Sequence, residues 1–115
     1  MSVKLTTHQN GAVTIVDVSG KLTLGEATSD LRDTIRALVQ AGSRNIVLNM
    51  ADVSYLDSSG LGELVGAHTT VTTAGGEIKL LNLAKRVHDL LKVTKLYTVF
   101  EVFEDEPSAV ASFSK

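Results

Sequence analysis

The strand-like run Asn45-Ile46-Val47-Leu48-Asn49-Met50 and the downstream Leu56-Asp57-Ser58-Ser59-Gly60-Leu61-Gly62 decide how this chain is read. The first stretch is apolar and rich in β-branched residues, as a buried strand is. An amphipathic run from Leu61 to Val71 leaves the second stretch. Two hydroxyls and a carboxylate therefore stand where a strand-fed loop becomes a helix. The first N–H groups of a helix lack intrahelical partners, and that end carries a partial positive charge. It is a natural seat for a phosphate or another anion. The same residues also admit a plainer reading, because Asp and Ser are favoured N-caps. Three polar residues followed by Gly60 are more than one cap requires, and Gly60 would let another molecule's backbone approach. Residue chemistry alone leaves both readings open.

Working outward, Val3 and Leu5, then Val13, Ile15 and Val18, flank the turn signal Asn10-Gly11 and predict a hairpin. Thr23-Leu24-Gly25-Glu26 has the spacing of a capping box, and Leu31, Ile35, Leu38 and Val39 follow at helical intervals. Ala41-Gly42 supplies the stop. The strand over Asn45–Met50 leads into the Asp57 loop and a helix with Leu61, Leu64, Val65 and His68 on one stripe, ended by Gly75-Gly76. Ile78, Leu80 and Leu81 predict a further strand, Ala84–Lys92 a helix with Val87, Leu90 and Leu91 on one side, and Tyr97–Phe103 the last strand. Asp105-Glu106-Pro107 opens a terminal helix, with proline tolerated in its first turn. Strands alternating with helices predict an α/β fold, with a mixed, mostly parallel sheet, right-handed crossovers and about four helices. The span 1–115 is expected to be one domain.

Composition bounds the function. Apolar residues make up 43% of the chain but aromatics only 4%, so aliphatic side chains must build the core. Formal charge is −2, with both signs interspersed, and no basic face for nucleic acid is evident. Cysteine is absent, which removes disulfides and thiolate zinc sites and fits a reducing compartment such as the cytoplasm. No apolar stretch approaches the roughly 20 residues of a membrane helix, and none follows Met1 as a leader would.

Enzymatic readings fare poorly. A nucleophilic serine needs a base within hydrogen-bond reach. His8, His68 and His88 are the only histidines, and His68 falls roughly 15 Å along the helix axis from Ser58 at 1.5 Å per residue. Leu56 stands where a G-x-S-x-G elbow would place its first glycine. Gly60-Leu61-Gly62 lacks the third glycine of a dinucleotide loop, because Val65 is there. Asp52, Asp57 and Glu63 are isolated acids of the kind that are usually solvated, so no metal site is expected.

The text Asn45–Met50, then Val53-Ser54-Tyr55-Leu56-Asp57-Ser58-Ser59-Gly60-Leu61-Gly62, resembles the STAS domain family, and more closely its stand-alone bacterial anti-sigma factor antagonists. The resemblance continues through Gly75–Leu80, the helix over Val87–Leu91 and the segment Leu96–Phe100, and so spans almost the whole chain. It implies a partner-switching role. The unphosphorylated protein would bind an anti-sigma factor that is also a serine kinase, freeing a sigma factor. Phosphorylation at Ser58, with Ser59 as a minor site, would block binding, and a metal-dependent phosphatase would restore it. The chain would be substrate and binder, not enzyme, needing no cofactor of its own, nucleic acid or membrane. Asp57 would cap the helix or orient the Ser58 hydroxyl, Gly60 and Gly62 would allow close docking, and Glu63 would face out to the partner. Leu61 and Leu64 are expected in the core.

Two positions depart from the family's pattern. Thr23 follows Ser19-Gly20-Lys21-Leu22 where an acidic residue is common, and Glu63 replaces what is often an apolar residue. Thr23 keeps its place among the expected partner contacts. The competing reading keeps the fold and drops the switch: a STAS adaptor subunit of a transport or signalling assembly, binding constitutively.

Overall fold

Strand register sets where the candidate site lies. The computed structural model describes residues 3–114. β1 (Lys4–Asn10) and β2 (Val13–Leu22) pair antiparallel, with Asn10 opposite Val13 across a two-residue turn. Gly11 takes φ +62° in that turn, a conformation glycine adopts without steric cost. β2, β3 (Asn45–Leu56), β4 (Glu77–Leu81) and β5 (Val102–Phe103) run parallel, and the sheet order is β1-β2-β3-β4-β5. The crossovers are α1 (Glu26–Gln40), α2 (Ser58–Thr73) and α3 (Lys85–Thr94); α4 (Glu106–Ala111) follows the last strand. The mixed, mostly parallel α/β sheet with four helices matches the sequence expectation.

The three crossover helices share one face of the sheet. Leu31 and Ile35 of α1, Leu64 and Val71 of α2, and Val87 and Leu91 of α3 pack on Val16, Ile46, Leu48 and Leu80. Each fully buried aliphatic side chain contributes roughly 1.5–3 kcal/mol relative to exposure. Alternate residues point the other way. Val13, Ile15, Val47 and Leu81 form a smaller cluster with Ala109 of α4. Lys79 is buried on that side. Its ammonium donates to Ser112 Oγ at 2.7 Å, lies 3.3 Å from a Glu101 carboxylate oxygen and sits 4.4 Å from the Phe113 ring centre. A lysine with these partners holds the C-terminal segment on the sheet.

Four local expectations change. β3 continues to Leu56 rather than ending at Met50, because Gly20 of β2 pairs with Val53 beyond one irregularity in register, and Lys21 and Leu22 pair with Tyr55 and Leu56 beyond a second. Val53 and Leu56 are buried by that extension. The strand expected over Tyr97–Phe103 is mostly absent. Lys95 ends α3 in a left-handed conformation, Leu96–Thr98 form a 3-10 turn, Phe100 turns into the core, and only Val102–Phe103 pair with β4. The Thr23–Glu26 capping box does not form. Gly25, at φ +119°, precedes α1 and no side chain caps it. On α2 the buried stripe is Gly60, Leu64, Ala67 and Val71, with Leu61, Val65 and His68 half-buried on its flank.

Candidate functional site

β3 delivers the chain to Asp57 and α2 begins at the next residue. Asp57 has extended backbone (φ −99°, ψ −174°), as an N-cap should. One carboxylate oxygen, Oδ1, accepts the Gly60 amide at 2.8 Å. The other, Oδ2, accepts the Leu24 amide at 3.1 Å. The second bond joins the α2 start to the loop between β2 and α1. These amides, Gly60's first and Leu24's second, hold the Asp57 carboxyl below the usual carboxylate range. Asp57 is therefore the cap, and neither serine is needed for that purpose.

Ser58 is exposed and Ser59 half-buried. Ser58 is the first helical residue, so its hydroxyl stands at the positive end of a helix of 16 residues. No hydrogen bond engages the Ser58 hydroxyl among those of the described residues. His8 pairs with Asp17 at 2.9 Å on the β1–β2 ladder. It lies opposite Ile15, seven residues before the Leu22 end of β2, about 23 Å away at 3.3 Å per residue. His68 meets Phe100 edge-to-face at 5.4 Å, and His88 is exposed on α3. The histidines are thus spread over three different elements, and among the described residues none is hydrogen-bonded to Ser58 or Ser59. Among the described residues no group of three or more His, Asp or Glu side chains is placed to hold a metal ion.

Two of the expected contact residues are engaged within the fold itself. Gly60 is buried, and a Cβ there would collide with the Leu22 carbonyl of β2. Its small size serves helix–strand packing. Glu63 does not face out. Its carboxylate reaches α1, where Arg32 Nη2 donates to Oε1 at 2.7 Å and Nε to Oε2 at 3.4 Å, leaving the side chain 11% exposed. This fork raises the Arg32 pKa further above its ordinary value. Gly62 is exposed, with open space where a Cβ would project. Thr23 is half-buried beside this end of the sheet.

One residue at the site had no signal in the sequence. Leu24 is 78% exposed, and its amide is tied to Asp57. A lone leucine between Thr23 and Gly25 has no periodic partner, so nothing in the pattern separated it from core leucines. The rim is thus Leu24 on one loop and Ser58, Ser59 and Gly62 on the first turns of α2.

The STAS domain family matches residues 4–109. The chain belongs to this family. It is 31% identical over 102 residues to the anti-sigma-B factor antagonist of Bacillus subtilis (strain 168), covering 89% of this chain and 92% of that protein. It is 28% identical over 112 residues to the anti-sigma F factor antagonist of Paenibacillus polymyxa, covering 96% and 94%. Among solved structures, an anti-sigma factor antagonist of Thermotoga maritima superposes with a TM-score of 0.89 at 20% identity, over 96% of this chain and 95% of that one. The phosphorylated form of the Bacillus cell-fate determinant SpoIIAA superposes with a TM-score of 0.75 at 20% identity, over 96% and 99%. These two likenesses establish the shared STAS fold; the sequence relatives carry the regulatory name.

Proposed function

We propose that this chain is an anti-sigma factor antagonist of a partner-switching pathway in a bacterial cytoplasm, and a binding protein rather than an enzyme. Unphosphorylated, it binds an anti-sigma factor with serine kinase activity through Leu24, Thr23, Asp57, Ser58, Ser59 and Gly62, and so frees a sigma factor. The kinase phosphorylates Ser58 and ends the complex; a metal-dependent serine phosphatase restores it. One observation carries the reading: Ser58 is exposed at the first position of α2 while Asp57 supplies the cap. The hydroxyl is left over for chemistry that the fold does not use.

The physical asymmetry of a switch follows. Phosphate adds about −1.5 to −2 charges. The helix end attracts an anion by roughly 0.3–1 kcal/mol. The Asp57 carboxylate at the same end opposes it, but the exposed Ser58 side chain holds its phosphate in water, where repulsion is damped. The fold is therefore nearly indifferent. Inside an interface the dianion must lose its water, at a cost of several kcal/mol unless the partner compensates it. Each 1.4 kcal/mol is about tenfold in affinity, so binding collapses.

The test is to incubate the protein with the anti-sigma kinase encoded by the same organism and Mg-ATP, then map phosphate by mass spectrometry. The proposal expects one modification, at Ser58. A complex that forms but is never phosphorylated would favour the constitutive adaptor reading instead.

A further inference from the structure

The even mixture of charges along the whole chain does not hold on α3. Lys85, Arg86, Lys92 and the following Lys95 are exposed, and Asp89 is the one carboxylate among them. Whole-chain formal charge is −2, so this cationic ridge stands against an otherwise acid-rich molecule. The ridge is not offset internally. Lys85 meets Asp89 at 3.6 Å, but both side chains are largely solvated and such pairs contribute little. Lys95 keeps its cation in a left-handed conformation, φ 63°, where glycine fits with less strain.

Apolar side chains stand within the ridge. Val87 and Leu91 point into the core, so the exposure of Val93, at 81%, is not a by-product of the helix's buried stripe. Lys85, Arg86, Asp89, Leu90 and Val93 line one shallow groove along the helix. His88 and Lys92 form a second with Tyr97, which is 56% exposed. The two grooves flank the ridge.

We propose that the outward face of α3, with Tyr97, is a second protein-docking surface, for a partner that presents an acidic rim around an exposed apolar side chain. Charge complementarity selects the acidic rim, and Val93 with Leu90 and Tyr97 selects its apolar centre. The surface goes beyond the Ser58 rim. Val93 lies eight residues into α3, about 12 Å along its axis from Lys85. A partner whose contact stays on α3 and Tyr97 leaves Ser58 uncovered, and its binding is then independent of phosphorylation. A membrane is a poorer occupant, since the apolar stripe that would insert is already in the core. A second copy offering its own acidic segment would pair head-to-tail, giving a ring or an open chain and not a closed pair.

The experiment places a photo-reactive amino acid at Val93 of the full chain in its native cells. The crosslinked protein is identified, purified and titrated against wild type, Ser58→Asp, the triple variant Lys85→Glu/Arg86→Glu/Lys92→Glu, and Val93→Asp, each first checked for unchanged Tm. The proposal expects wild type and Ser58→Asp to bind equally, and each α3 variant to bind at least about tenfold more weakly. It also expects the triple variant to lose the salt dependence of the wild type. Val93→Asp keeps the test alive if the triple variant misfolds. The proposal is overturned if no adduct forms or only this chain is captured. It is also overturned if Ser58→Asp abolishes binding, if the α3 variants bind as wild type does, or if phosphatidylserine vesicles displace the captured protein at physiological salt.

Discussion

Asp57 accepts the Leu24 amide on one carboxylate oxygen and the Gly60 amide on the other, so a single side chain fixes the start of α2 to the loop that precedes α1. The exposed leucine and the exposed serine are thereby parts of one rigid rim.

Asp57→Ala should lower the unfolding midpoint by more than Ser58→Ala does, because it leaves two amides without their acceptor. The carboxyl's depressed pKa fixes the sign of the pH effect. Its contribution is fully present above the ordinary carboxylate value of about 3.9 and is lost as pH falls through the lower folded-state value. Urea melts of wild type and Asp57→Asn between neutral and strongly acid pH should therefore differ most at neutral pH and converge as pH drops. Curves separated by a constant amount would show that the carboxylate's charge is not involved.

The two glycines of the motif should separate cleanly. Gly60→Ala forces a methyl into the Leu22 carbonyl and should cost about 1–3 kcal/mol as overpacking. Gly62→Ala meets open space and should stabilise α2 by about 0.5–1 kcal/mol. Chemical denaturation reads both. Equal effects would mean that Gly60 is not the close-approach point.

Leu24→Ser removes an apolar side chain that the fold does not bury. It should leave Tm within about 3 °C, since surface substitutions change stability by about 0.5 kcal/mol at most. If the rim is the docking surface, affinity for the anti-sigma kinase should fall about tenfold or more, as for an interface anchor. Calorimetric titration decides, and unchanged affinity would remove Leu24 from the interface.

Much of this was legible in the sequence because it rests on period and on local capping chemistry. The β-branched residues of β2, the helical spacing of Leu31 and Ile35, and the polar entry to α2 each follow from residues close together in the chain. What was missed depends on distant partners. Glu63 looks solvated until α1 brings Arg32 against it. Gly60 looks like an access point until the β2 carbonyl of Leu22 is seen beneath it. Tyr97–Phe103 has strand composition, but Phe100 is drawn into the core and the left-handed Lys95 starts a turn, so the chain reaches the sheet only at Val102. The Thr23 capping box was a correct spacing in the wrong place, since Gly25 takes the N-cap position and α1 begins only at Glu26.

The proposed switch depends on a Ser58 hydroxyl that the fold can spare and the complex cannot. Ser58→Asp and Ser58→Ala should both melt close to wild type, within about 0.5 kcal/mol of stability. Binding to the anti-sigma kinase, measured by titration calorimetry on the same preparations, should survive in Ser58→Ala and fall by at least about a hundredfold in Ser58→Asp. A Ser58→Asp protein that binds as tightly as wild type would contradict the switch.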